Sequence, residues 1–294
     1  MSSAVRTRAS AALFRRPWLR AGLLLSGPAA WFLLIYLGAL FLLFLSALWS
    51  VDSFSGKIVH SWTLTNFETL FKVQAYRTIA LRTVGIAAAV TATDILLAVP
   101  FAFYAARIAP RRLQAALFVA VLIPLWSSYL VRVFAWRLIL AKDGVLNWFL
   151  GNVGLGTVNI GYSNWAMWIV FSYLWLPFMV FPVWAAIERV PDSLIEASAD
   201  LGGRGWRSFR LILLPLILPG IVAGSLFTFS LTLGDFITPT LVGGAGSTFI
   251  GNVVYQEVGI SNNVPFAAAF ATIPLVIMGV YLLIARRLGA FEAL

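Results

Sequence analysis

The chain has 294 residues, 61% hydrophobic and 11% charged, with 12 tryptophans, 23 phenylalanines and a mean hydropathy of +0.92. A soluble domain carries about 25% charged residues, so this is the composition of an integral membrane protein. The absence of cysteine and the single histidine, His60, exclude a disulfide framework, thiolate chemistry and a Cys/His zinc cluster, while the net charge of +10 takes its meaning from where the charges lie.

In chain order, residues 1–20 form a basic tail holding Arg6, Arg8, Arg15, Arg16 and Arg20. It reads as a topology signal or as a segment lying on anionic lipid. A transmembrane domain is expected over 21–294. A span needs about 20 apolar residues, and six such stretches follow. The first, 22–49, is longer than a signal-peptide core and no small-residue cleavage site follows it, so it is expected to be retained. An outside segment, 50–79, contains "SFSGKI". Gly56-Lys57 there lacks the rest of a phosphate-binding loop: Val51 stands where the first glycine belongs and Ile58 where Ser or Thr belongs. Nothing there can cradle ATP phosphates, so any energy the chain uses must come from a partner or an ion gradient.

The second span, 80–106, carries Asp94. The third, 113–140, carries Trp126, Tyr129, Arg132, Trp136 and Arg137. The fourth, 164–187, contains Trp175; the fifth, 213–236, carries Asp235 near its outer end; the sixth covers 265–285. The outside segments 141–163 and 237–264 are rich in turn-forming Gly and Asn. Polar residues inside spans are costly and are functional candidates by default. Asp94 is read as half of a structural ion pair with an arginine or, alternatively, as lining a pathway, and the same choice stands for Arg132 and Arg137.

Lys and Arg set the orientation. Fourteen of the 21 lie on one side: five in the tail, three in loop 107–112, four in loop 188–210 and two after the sixth span. Five lie on the other side. Both termini are therefore expected in the cytoplasm, and the positive charge reflects topology rather than nucleic-acid binding.

The cytoplasmic loop 188–212 leads into the stretch "EASADLGGRGWRSFRLILLPLILPG", residues 196–220. Ser193 and Glu196 have capping-box spacing, after Pro191. Leu194, Ala197 and Leu201 recur at helical spacing, and Gly202-Gly203 ends the helix. The chain returns from Trp206 with Arg207 and Arg210, and Pro215 and Pro219 bend it as it re-enters the membrane. A solvated linker explains the charges; a knob that enters a groove on another protein also explains the small residues along the short helix.

These residues resemble the EAA loop of the membrane subunits of bacterial ABC importers. Glu196, Ala197, Ser198, Gly202, Ile212, Leu214 and Pro215 stand at the motif's spacings, with Ser198 in place of its second alanine. The resemblance, to type I importer permeases, covers about residues 25–287. It implies an all-α integral membrane protein of six transmembrane helices in the bacterial inner membrane, acting as a transport subunit and not as an enzyme. It also implies that Leu194, Glu196, Ala197, Ser198, Leu201 and Gly202 dock into a separate ABC ATPase dimer. That dimer would bind ATP and Mg, leaving this chain without a cofactor. A second permease subunit, related or identical, and an extracytoplasmic substrate-binding protein complete the implied set of partners.

Residues 234–236, Gly-Asp-Phe, and 241–244, Leu-Val-Gly-Gly, look like the spermidine/putrescine subgroup. A polyamine would meet a carboxylate at its end and aromatic faces along its length. Asp235 with Trp126, Tyr129 and Trp175 is the set expected along the path. Similar permeases serve opines, other amino compounds and iron, so these remain alternatives. An ion-coupled secondary transporter would show inverted repeats, and none is visible. A membrane enzyme would need a nucleophile–base or metal constellation, for which one histidine and no cysteine leave little.

Overall fold

The structure, a computed structural model, describes residues 17–52, 54–203 and 205–287. The first sixteen residues of the basic tail, Ser53, Arg204 and the last seven residues lie outside the described residues.

Helix α1 runs Pro17–Ala30, widens to π-type turns over Trp31–Leu37 and ends as Gly38–Ser46. A two-stranded antiparallel ribbon follows, β1 (Ser50–Val51) and β2 (Ile58–Val59), with Ser50 opposite Val59. Then come α2 (Thr65–Lys72) and α3 (Gln74–Phe103), the latter extended by a π-type turn, Tyr104–Ile108. Helix α4 is Arg111–Trp126, α5 Tyr129–Leu140, α6 Val145–Asn152, α7 Asn164–Glu188 and α8 Asp192–Asp200. Helix α9 starts at Trp206–Ser208, passes through π-type turns at Phe209–Leu213 and runs on as Leu214–Gly234. A short turn, Pro239–Gly243, precedes α10 (Ile250–Gly259) and α11 (Val264–Arg287).

Five helices are long and apolar enough to cross a membrane, and a sixth crossing arises if the pair after α3 counts as one broken span. The second span is longer than its apolar run: Gln74–Ile108 has 35 residues, about 52 Å of helix, so it projects beyond ~30 Å of hydrocarbon. The expected single third helix is two. Between Arg111–Trp126 and Tyr129–Asn152 the chain bends by 95°. Ser127 and Ser128 take extended conformations at the break, and the Ser127 hydroxyl donates to the Pro124 carbonyl at 2.8 Å. A serine that satisfies the local backbone in this way competes with the helix ladder.

The core is the mutual packing of α3, α7 and α9. In α7, 61% of the apolar window is buried, against 6% in α1. Ser163 caps α7 by accepting from the Ala166 amide at 3.2 Å. Helices α7 and α9 approach closely at two glycines. A Cβ on Gly220 would lie 2.5 Å from the Ala186 Cβ and 2.6 Å from the Pro182 carbonyl oxygen. One on Gly224 would lie 2.7 Å from the Met179 Sδ. In a bilayer, where lipid is as apolar as leucine, such small-residue contacts are a main source of helix association. Interhelical hydrogen bonds add to it: the Trp168 indole donates to Thr93 at 3.0 Å, and Ser225 and Tyr281 hydroxyls meet at 2.6 Å.

Asp94 is fully buried in this core. Val90 and Ala98, one turn to either side, pack on clusters containing Trp175 and Met179 of α7, and Thr91 reaches Thr228 of α9. Asp94 thus lies on the face of α3 turned toward α7 and α9. The expected ion pair with an arginine is not formed. Neither Asp94 oxygen has a partner among the described residues, and Arg137 instead donates to the Tyr162 hydroxyl at 3.1 Å.

Candidate functional site

Two groups of sequence-predicted residues come into focus, one at the cytoplasmic end and one toward the outer end of the bundle.

The cytoplasmic knob is α8 and its turn. The helix begins at Asp192, so Ser193 sits in its first turn and not at the cap position expected from the capping-box spacing. Gly202 adopts φ +78°, the left-handed conformation that suits glycine, and the Gly203 amide closes on the Ser198 carbonyl at 2.8 Å. This is a Schellman ending. Gly203 also has no room for a side chain, since a Cβ there would lie 2.5 Å from the Ser198 Oγ.

The six predicted docking residues divide. Glu196, Ala197, Gly202 and Leu201 are exposed, Leu201 to 90%, and Leu194 is exposed on the same helix. Ser198 is buried, and its hydroxyl meets that of Ser208 on α9 at 2.8 Å. Ser198 therefore fastens the knob to α9, while the others form its outward surface. Ile195 and Ser198 line an apolar groove of about 780 Å³ between α8, α9 and α3, with Val99, Phe103 and Phe209.

A residue that holds the knob from α3 was not singled out in the sequence. Arg107, in the last turn of α3, forms an ion pair with Asp192 and donates to the carbonyls of Ile187, at 2.7 Å, and of Val190. In the sequence it counted only as a topology charge. Nearby, Glu188 accepts from Trp184 at 2.8 Å and from Gln114 at 3.0 Å.

Toward the outer end, three of the four predicted path residues meet. The Asp235 Oδ1 accepts from the amides of Ile237, at 2.7 Å, and Thr238, at 3.2 Å. Its Oδ2 accepts from the Thr238 hydroxyl at 3.0 Å and from the Tyr129 hydroxyl. The Tyr129 ring stacks on Trp175, with centroids 5.9 Å apart and planes 11° apart. Asp235 binds the two backbone amides just ahead of the Pro239 turn, so its carboxylate is engaged within the chain. Trp126 stands apart at the end of α4, 87% exposed and without a ring contact among the described residues. Arg132, one turn beyond Tyr129, is half-buried, and its Nε and Nη1 have no acceptor among the described residues.

No group of His, Cys, Asp and Glu capable of holding a metal ion occurs among the described residues.

Comparison with known proteins agrees with the fold. The family described as "binding-protein-dependent transport system inner membrane component" matches residues 93–290. The inner membrane ABC transporter permease protein YdcU of Escherichia coli (strain K12) is 45% identical over 98% of this chain and 95% of its own length. The spermidine/putrescine transport system permease protein PotB of Haemophilus influenzae is 33% identical over 76% of this chain and 79% of its own. Among solved structures, a bacterial ABC transporter involved in import of the acidic polysaccharide alginate aligns with a TM-score of 0.67 at 20% identity, covering 95% of this chain and 99% of that one. At that identity the likeness speaks for the fold.

Proposed function

Because the chain belongs to the family of binding-protein-dependent transport system inner membrane components, and is thus an inner-membrane permease subunit of an ABC importer, we propose that its knob docks on a separate ATPase dimer and that its solute is a polyamine or a related small cation. The chain forms half of a translocation pathway. A second permease subunit supplies the other half, and an extracytoplasmic binding protein delivers the solute.

The observation that carries the docking reading is the outward surface of α8. Glu196, Ala197 and Leu201 face away from the bundle on a short helix whose inner face, through Ser198, is tied to α9. A linker would need no such division. ATP and Mg belong to the partner. Glu196 pairs with a basic residue there, and Leu194, Ala197 and Leu201 pack in its cleft.

The solute reading rests on the spermidine/putrescine relatives together with the Tyr129–Trp175 stack, a flat aromatic face suited to a cationic methylene chain. Because Asp235 is engaged internally, an ammonium group reaches its Oδ2 by displacing the Tyr129 hydroxyl.

Co-purification with a tagged ATPase tests the docking. Glu196→Lys and Gly202→Asp are expected to insert in the membrane at wild-type level yet lose the ATPase. Retention of the ATPase by both variants would falsify the docking role.

A further inference from the structure

The knob hangs on the bundle at three places. Toward α7 it is joined by the chain itself, through the three-residue elbow Arg189–Val190–Pro191. Toward α9 it is joined by the turn and the Ser198–Ser208 hydrogen bond. Toward α3 the apolar groove intervenes, and every hydrogen bond that joins α3 to the elbow or to α8 among the described residues comes from one side chain, Arg107.

The placement of Arg107 is specific. It sits in a π-type turn, Tyr104–Ile108, closed by the Ala109 amide on the Tyr104 carbonyl at 2.9 Å. Such wide turns shift the hydrogen-bond register at a helix end and are frequent at functional sites. Pro110 follows and stops the helix. The guanidinium is planar and presents two parallel donor edges. One nitrogen reaches the carbonyls of Ile187 and Val190, at the C-terminal end of α7, and the other reaches Asp192, in the first turn of α8. Both are electrostatically matched, because a cation suits a helix C-terminus and an acid suits a helix start. The Arg107 side chain is 15% exposed, and the Asp192 side chain 79%. The cation is thus held inside the elbow while its acidic partner lies at the surface.

We propose that Arg107 is a positioning residue that locks the ends of α3 and α7 to the start of α8, so that a displacement of the knob moves all three helices as one body. Without it the elbow is a hinge, and a push on α8 reaches α9 and the chain of α7 but is not passed to α3. The three acceptors straddle the elbow, so the guanidinium fixes its angle directly. The inference rests on the reading of α8 as the ATPase-docking element.

The test uses the assembled complex and the absence of native cysteines. Spin labels at Ile108 and Ser193, both exposed, report the angle between the end of α3 and α8. In the otherwise unmutated chain one narrow distance distribution is expected. Arg107→Ala is expected to broaden it, to leave ATPase co-purification unchanged, and to abolish the rise in ATP hydrolysis caused by the solute-loaded binding protein. Uptake is expected to fall by at least about tenfold, the scale of a single charge-assisted hydrogen bond, of which this variant loses three. Arg107→Lys should recover part of both readouts, since an ammonium still reaches one carbonyl or Asp192. Asp192→Ala should broaden the distribution toward that of Arg107→Ala, because Asp192 is the acceptor on α8 and the two carbonyls that stay bound lie on α7 and in the elbow. A narrow distribution in Arg107→Ala, or normal stimulation of hydrolysis in it, overturns the proposal. Failure of the unmutated chain to retain an ATPase overturns the docking reading instead, and the distance distribution then still decides whether Arg107 fixes the elbow.

Discussion

Four hydrogen bonds converge on the carboxylate of Asp235, two from backbone amides and two from hydroxyls. Asparagine is nearly isosteric and its Oδ1 still accepts both amides, while its NH₂ donates to the oxygens of Tyr129 and Thr238. Asp235→Asn therefore removes the charge and keeps the amide bonds. Spermidine uptake is expected to fall about tenfold or more, the scale of a lost charged hydrogen bond, with assembly of the complex unaltered. Tyr129→Phe should act in the other direction: the ring remains stacked on Trp175, one donor leaves Oδ2, and the KM for uptake drops. Wild-type uptake in Asp235→Asn would remove this carboxylate from the pathway. The sequence makes Asp235 visible because an acid beside an apolar run is conspicuous. Its remote partner is not visible, because Tyr129 is 106 residues away and nothing local marks the pair. Arg107 was hidden for a related reason. A lone arginine after a span looks like any other topology charge until its acceptors, 80 to 85 residues on, are seen.

Helix α9 meets α7 through bare backbone. At Gly220 even one methyl would collide with the Ala186 Cβ and the Pro182 carbonyl, so Gly220→Ala must push the helices apart. Overpacking of this kind costs about 1–3 kcal/mol. Gly279 on α11 is a control, since a Cβ there meets nothing within 4 Å. Gly279→Ala should be neutral or gain up to about 1 kcal/mol from helix propensity. Thermal unfolding of the two variants in detergent separates them, and equal melting temperatures would show that the glycine contact does not hold the pair together. Spans were the most legible elements, because about 20 apolar residues leave few alternatives to a crossing helix. The break in the third was not legible. Hydropathy runs on through Ser127 and Ser128, and the bend comes with a side-chain hydrogen bond, Ser127 to the Pro124 carbonyl, that hydropathy does not register. The π-type turns that carry Arg107 and that open α9 are equally silent, since they alter hydrogen-bond register and leave composition unchanged.

At the scale of the molecule, burial is lopsided. Helix α7 is mostly enclosed, whereas α1 leaves nearly all of its apolar surface uncovered by this chain. The bundle therefore has a sealed side, where α3, α7 and α9 meet, and an outer layer whose apolar surface this chain leaves uncovered. Function depends on how this body is threaded through the bilayer: the docking reading requires α8 in the cytoplasm and the Tyr129–Asp235 cluster toward the opposite face. The broken pair α4–α5 is the weakest point of that threading. Helix α4, with 16 residues, spans only about 24 Å, and the chain then turns by 95°. If the pair completes a crossing, α6 and the loop between it and α7 lie outside; if it re-enters, they lie on the cytoplasmic side and the orientation of every later helix inverts. Single cysteines settle this, since the chain has none of its own. Val153→Cys and Ser261→Cys, both at exposed positions, are expected to react with a membrane-impermeant maleimide added to intact spheroplasts. Asp200→Cys, exposed at the end of α8, should react only after permeabilisation. Protection of Val153→Cys together with labelling of Asp200→Cys would place the knob outside, where no ATPase can reach it. The Lys and Arg count argues for the first arrangement: it places 14 on the cytoplasmic side against five outside, whereas re-entry would carry the four of loop 188–210 and the two after the last span outward and leave nine against ten, with no positive-inside bias.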